Sequence, residues 1–115
     1  MDENVDILYA QQLNKRRPEI TLLKVGDLDA PPKGTLDPDI LIWCEEQNFV
    51  LVTNNRASMP VHLKDHLAKG RHIPGIITLG PRLTIGENLA ELLLIAQGSF
   101  EDDYRDQIIN LPLTF

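Results

Sequence analysis

Two short runs, Phe49-Val50-Leu51-Val52-Thr53 and Gly75-Ile76-Ile77-Thr78-Leu79, are apolar on both of their alternating faces and rich in β-branched residues. A strand with one wet face alternates apolar and polar side chains. A strand covered on both faces reads as a continuous apolar run, and such strands belong to parallel sheets with helices above and below. The segments between them carry helical patterns. Asp6 to Arg17 has Ile7, Leu8 and Leu13 on one face and is closed by Pro18. Asp37-Pro38-Asp39 opens a second helix, with Asp37 of N-cap type and Pro38 suited to the first helical position. That helix carries Ile40, Leu41, Trp43 and Cys44 and fades at Gln47-Asn48. A third begins near Ser58 and stops at Gly70. A fourth starts at Thr84-Ile85-Gly86-Glu87, which has capping-box spacing, and stops at Gly98. Ile20 to Val25 reads as a further strand and Gln107 to Leu113 as an edge strand limited by Pro112. Glu101-Asp102-Asp103-Tyr104 reads as a solvated turn or short helix.

Strands and helices alternating in short units predict an α/β fold, a three-layer α/β/α sandwich with a mainly parallel sheet. At 115 residues the expectation is one domain over 1–115. Folds of this kind feed the first helix from a strand, and no apolar run precedes Asp6. The first strand is therefore expected to be truncated or to lie upstream of Met1.

Charge narrows the function. Lys and Arg number 11 against 17 Asp and Glu, a formal net charge of −6. Non-specific coating of nucleic acid or an anionic membrane runs on clustered Lys and Arg, so that class is disfavoured. A metal-dependent nuclease is not, because metal-binding carboxylates themselves make a chain acidic. One cysteine, Cys44, excludes a disulfide framework and fits a reducing cytosol. No apolar run is long enough to span a bilayer, and the acidic N-terminus is unlike a signal peptide. The expected location is cytoplasmic.

In a parallel α/β sheet, ligands sit beyond the carboxyl ends of the strands. Three places match: Asp2-Glu3-Asn4 before the first helix, Asp37 at the start of the second, and Asn54-Asn55 after Thr53. Oxygen-bearing side chains converging there suit Mg²⁺ or Mn²⁺. Each also has a bland explanation, as solvated terminus, helix cap and turn dipeptide respectively. His62 and His66, four apart, lack a third zinc ligand at the usual spacing and read with His72 as solvated histidines. Cys44 reads as a buried core thiol. The basic clusters Lys15-Arg16-Arg17 and Lys64 to His72 read as solvated helix ends.

In this order, Asp2-Glu3-Asn4-Val5, Leu36-Asp37-Pro38-Asp39-Ile40-Leu41, Val50-Leu51-Val52-Thr53-Asn54-Asn55 and Ile73-Pro74-Gly75-Ile76-Ile77 resemble a family of small PIN-like proteins of unknown function. That family is related to the PIN-domain ribonucleases that include VapC-type toxins. The similarity runs over nearly the whole chain, to Leu111-Pro112-Leu113. It implies a PIN-like fold with an acidic pocket that holds Mg²⁺ or Mn²⁺ and cleaves RNA with metal-activated water, a hydrolase of toxin–antitoxin type. Matched by position, Asp2 and Asp37 would be metal ligands and Asn55 would stand where relatives commonly carry an Asp. Ala57 replaces a further Asp. Asn54 and Arg56 would contact substrate. Asn55 brings no charge and Arg56 adds a positive one, so weakened or lost activity is expected. Glu3 and Asp6 are further acidic candidates.

The implied partners are RNA and a cognate antitoxin or other protein, with no membrane, and a homo-oligomer is expected. The competing reading is a non-catalytic PIN-like interaction protein that acts through protein partners or self-assembly at an uncovered sheet edge. A phosphoacceptor domain of receiver type fits less well. The strand ending at Thr53 lacks an Asp and no Lys follows Leu79.

Overall fold

The structure, a computed structural model, describes residues 1, 7–16, 26, 30–98 and 104–112. Among them it shows a small α/β domain with four helices and a three-stranded parallel sheet. In chain order these are α1 (Ile7–Arg16), α2 (Asp37–Gln47), β1 (Leu51–Thr53), α3 (Met59–Ala68), β2 (Ile76–Thr78), α4 (Ile85–Gly98) and β3 (Ile108–Asn110). β2 is central, with β1 and β3 on either side. Thr53, Thr78 and Asn110 stand side by side at the carboxyl ends.

The apolar runs are the strands, the first trimmed at its start and the second by one residue at each end. Phe49 and Val50 precede β1, and the Phe49 ring stacks on Trp43 with centroids 5.3 Å apart and planes 7° apart. Asn48 leaves α2 in the left-handed region at φ 60°, a conformation Asn tolerates at helix ends. The Phe49 N–H then returns to the Cys44 carbonyl at 2.9 Å. That reversal aims the chain into β1.

Neighbouring residues of the strands enter different cores. Leu51 and Ile76 pack with Ile40, Leu41, Cys44 and Met59 from α2 and α3. Ile77 packs with Tyr9 and Leu13 of α1 and Leu89 and Leu92 of α4. Adjacent strand residues point to opposite faces, so a sheet feeding two cores in this way is covered on both sides by helices. The arrangement is compatible with an α/β sandwich, and it explains why the runs are apolar throughout.

Several expectations shift. Among the described side chains of α1, Tyr9 and Leu13, four residues apart, are buried, while Leu8 is exposed. Tyr9 sets that rotation, since its hydroxyl accepts a hydrogen bond from the buried Asn88 amide at 3.0 Å. Gly98 is the last residue of α4 and not the stop beyond it. The capping box forms, with the Thr84 N–H donating to Glu87 Oε1 at 3.0 Å and the Glu87 N–H to Thr84 Oγ1 at 3.1 Å. The strand expected over 20–25, the acidic residues Asp2, Glu3 and Asp6, Asn4, and Glu101 to Asp103 lie outside the described residues. Among the described residues, no helix is long and apolar enough to cross a membrane.

Candidate functional site

The carboxyl end of β1 gathers residues from α2, the β1–α3 loop and the start of α3. Thr53 Oγ1, fully buried, accepts the Asn55 N–H at 3.1 Å and so fixes the first turn after the strand. The Asn55 side chain then faces two ways. Its Oδ1 accepts the Ser58 N–H at 3.3 Å. Its Nδ2 donates to Ser58 Oγ at 2.7 Å and to Asp37 Oδ2 at 2.9 Å. The direction of the amide follows from the network: the Ser58 backbone N–H can only donate, so the oxygen must face it. Asn55 and Asp37 therefore meet across 18 residues of sequence, as donor and acceptor.

This contact revises two sequence expectations. Asp37 is the first residue of α2 and not its cap; Leu36 occupies the cap position and no side chain caps the helix. The Asp37 carboxylate is turned to Asn55 instead. Ser58 stands at the N-cap of α3 without capping it by its side chain, because its hydroxyl takes the Asn55 amide. Nor is His62 a solvated helix residue. It is half-buried, with Nε2 3.7 Å from Asp37 Oδ2. Ser58 could have been found in the sequence, since Asn-x-x-Ser is the spacing at which a side-chain oxygen meets the N–H three residues on. The partner of His62 had no local signal.

Arg56 directs its guanidinium to backbone carbonyls. Its Nε donates to the Leu79 carbonyl at 3.3 Å and its Nη2 to the Leu111 carbonyl, so the guanidinium straps the loop after β1 to the chain leaving β2 and β3. Thr78 Oγ1 and Asn110 Oδ1 join the same edge. Asn88, buried in α4, closes it by accepting the Gly80 N–H at 2.8 Å and donating to the Gly80 carbonyl at 3.2 Å. Asn54 is exposed at the rim.

Does this set suit a hard divalent cation? Such ions take oxygen ligands, and carboxylate count sets their affinity. Asp37 brings one carboxylate. Asn55 presents nitrogen to it, with its oxygen held by Ser58. Among the described residues, no three His, Cys, Asp or Glu side chains gather as metal ligands. These residues do not fit the Mg²⁺ or Mn²⁺ implied by the resemblance.

A second polar cluster lies at the opposite, amino-terminal ends of the strands. The Glu45 carboxylate at the end of α2 accepts Arg71 Nη1 at 3.1 Å through Oε1 and the His72 N–H at 3.1 Å through Oε2. His66, which is buried, brings Nε2 to 3.1 Å from Glu45 Oε1 and 2.9 Å from the His72 carbonyl. Facing two acceptors, that nitrogen carries the proton. Asp106 accepts the Ile73 N–H at 2.9 Å and pairs with His72 Nδ1 at 2.7 Å. Burial raises the Glu45 carboxyl, but the His72 N–H, the Arg71 guanidinium and His66 outweigh it and hold the group below its ordinary value. Asp106 behaves alike: burial raises it, and the bonds from His72 and Ile73 with the nearby charges of His72 and Arg105 bring it below. His66 is thus a core histidine and His72 a surface one with a partner. Of the basic cluster from Lys64 to His72, Arg71 and His72 are tied to carboxylates, while Lys64 and Lys69 are exposed as expected.

Cys44 is buried and free, and burial pushes its thiol up to about 11, which suits an inert core residue. No protein-family model, curated protein or solved structure matches the chain.

Proposed function

We propose that this chain is a PIN-like domain that keeps a ribonuclease-type site in outline, with activity weakened or lost. The observation that supports this is the Asn55–Asp37 hydrogen bond at the carboxyl end of a parallel strand, the place where open α/β sheets bind ligands. Two of the three residues proposed for the site meet there; Asp2, the third, lies outside the described residues. Asp37 and Asn55 stand where a nuclease of this kind would hold Mg²⁺ or Mn²⁺ against RNA, and the amide at position 55, which presents nitrogen to Asp37, is the departure that weakens or abolishes the activity. The test is cleavage of pooled single-stranded RNA in Mn²⁺ by the wild type, Asp37→Asn and Asn55→Asp. Slow cleavage abolished in Asp37→Asn, or cleavage gained in Asn55→Asp, supports the reading. Failure of all three proteins to cut RNA refutes it.

One observation favours a second reading, a non-catalytic interaction protein that self-assembles or binds a protein partner. Leu36 and Val61, which adjoin Asp37 and His62 in sequence, are 71% and 59% exposed. Apolar side chains left in water beside a polar site are suited to a protein–protein contact. Sedimentation of the wild type against Leu36→Ser/Val61→Ser tests self-assembly: a dimer lost in the variant supports it, and a monomer throughout refutes that form of it.

A further inference from the structure

The Asn55 amide occupies a chemically specific position. It has two N–H donors and one carbonyl, and three partners account for them: Asp37 Oδ2 at 2.9 Å, Ser58 Oγ at 2.7 Å and the Ser58 N–H at 3.3 Å. Two acceptor oxygens therefore point at one donor nitrogen, the arrangement that oxygen ligands adopt around a small cation. The other nitrogen near Asp37 Oδ2 is that of His62, at 3.7 Å. Arg56, next in the chain, adds a guanidinium held at the same edge by the Leu79 and Leu111 carbonyls. A divalent ion at Asp37 would have to displace the amide, at the same end of the sheet as that positive charge and with one carboxylate among the described residues to hold it.

We infer that the Asn55 amide takes the place of a shared cation, so that the wild-type chain binds no divalent ion through Asp37. A carboxylate at position 55 makes the site a metal site. The inference deepens the functional reading above by naming what fills the place of the ion, and it rests on that reading only for the identity of the site. Its physical basis is general. An Asp at 55 would set a carboxylate oxygen about 3 Å from Asp37 Oδ2, a distance at which two like charges cannot both persist without a proton or a cation between them. The amide removes that conflict, because one of its N–H groups supplies the positive end.

Mn²⁺ is titrated by calorimetry and electron paramagnetic resonance into the metal-free full chain, as wild type, Asp37→Asn and Asn55→Asp. Each is also melted in EDTA and in Mn²⁺. The wild type and Asp37→Asn should give the same titration. Asn55→Asp should bind at least about tenfold more tightly than either, because affinity at oxygen sites follows carboxylate count. It should also melt below the wild type in EDTA and regain that loss in Mn²⁺. Wild-type binding that disappears in Asp37→Asn overturns the inference, and so does an Asn55→Asp protein that melts like the wild type in EDTA and ignores Mn²⁺. Should Asn55→Asp fail to fold, the comparison of wild type with Asp37→Asn still decides. Mn²⁺ binding by Asn55→Asp without RNA cleavage supports this inference while refuting the ribonuclease reading.

Discussion

Glu45→Gln is the most informative single change to the architecture. The carboxylate accepts from Arg71, from the His72 backbone and from buried His66, each at 3.1 Å. All of these groups donate. A glutamine amide offers one oxygen where two are used, so whichever way it turns its NH₂ confronts a donor. The least costly orientation keeps the oxygen on the Arg71 and His66 side and gives up the bond to the His72 N–H. A hydrogen bond to a charged group contributes roughly 1.5–3 kcal/mol. The weakened Arg71 contact adds at most about 1 kcal/mol, since exposed pairs are screened. The Glu45 side chain is 27% exposed, which argues for the lower half of that range. The expected loss is about 2 kcal/mol, or roughly 8 °C in melting temperature for a chain of this size.

The pH dependence supplies the discriminating result. The Glu45 carboxyl sits below its ordinary value of 4.5 in the folded protein. A carboxylate depressed by folding contributes stability that is present in full above the unfolded value and is lost as pH falls through the folded one. The gap between wild type and Glu45→Gln should therefore be largest near neutrality and close on acidification below about pH 4. Urea unfolding at pH 7 and at successively lower pH measures both. A difference under about 0.5 kcal/mol at pH 7, or one that persists undiminished in acid, would refute the argument, because surface substitutions without such partners fall in that range.

Three further predictions concern the cores and the carboxyl edge. Asn88→Ala removes the side-chain partners of the Gly80 N–H, the Gly80 carbonyl and the Tyr9 hydroxyl inside the core, and should cost about 3 kcal/mol by urea titration. Gly80→Ala would place a Cβ 2.8 Å from Leu83 Cγ and 3.1 Å from the Leu111 carbonyl, and should destabilise by about 1–3 kcal/mol in the same assay. Cys44, with its thiol raised to about 11, should resist iodoacetamide at pH 8 in the folded protein and react readily in denaturant; equal rates in both would show that it is not buried.

The elements were legible where a single physical rule governs them. Continuous apolar runs announced β1 and β2, and the Thr84–Glu87 spacing announced the start of α4. That Asp37 and Asn55 lie near each other was legible from the rule that parallel sheets gather ligand-binding side chains beyond their strand ends, Asn55 standing directly after β1. What each does there was not legible. Asp37 before Pro38 has the residue type of a cap, yet its carboxylate prefers a charge-assisted bond from an amide 18 residues away, which no local rule weighs. His62 and His66 lie one turn apart in a sequence that predicts two similar surfaces. Packing separates them: one faces Asp37 at the carboxyl end of the sheet, the other is buried against Glu45 at the amino end.

That separation sets the two histidines at opposite ends of a parallel sheet. With strands of three residues each, much of the backbone's hydrogen-bonding capacity lies just outside the ladder. At the amino ends carboxylates meet N–H groups of the approaching chain: Glu45 takes the His72 N–H and Asp106 the Ile73 N–H. Beyond the carboxyl ends donors meet carbonyls: Arg56 binds those of Leu79 and Leu111, and Asn88 that of Gly80. Buried backbone groups must be paired somewhere, and side chains of both characters serve each end, His66 meeting the His72 carbonyl at the amino end and Asn88 the Gly80 N–H at the carboxyl end. The donors at the carboxyl edge bring positive charge to the same end of the sheet as Asp37. An acidic, cation-holding pocket at that edge has to overcome Arg56, whereas an amide at position 55 satisfies Asp37 and is compatible with the strap. The choice of Asn at 55 and the use of Arg at 56 are thus consistent with each other, as two donor side chains serving one carboxylate and two carbonyls.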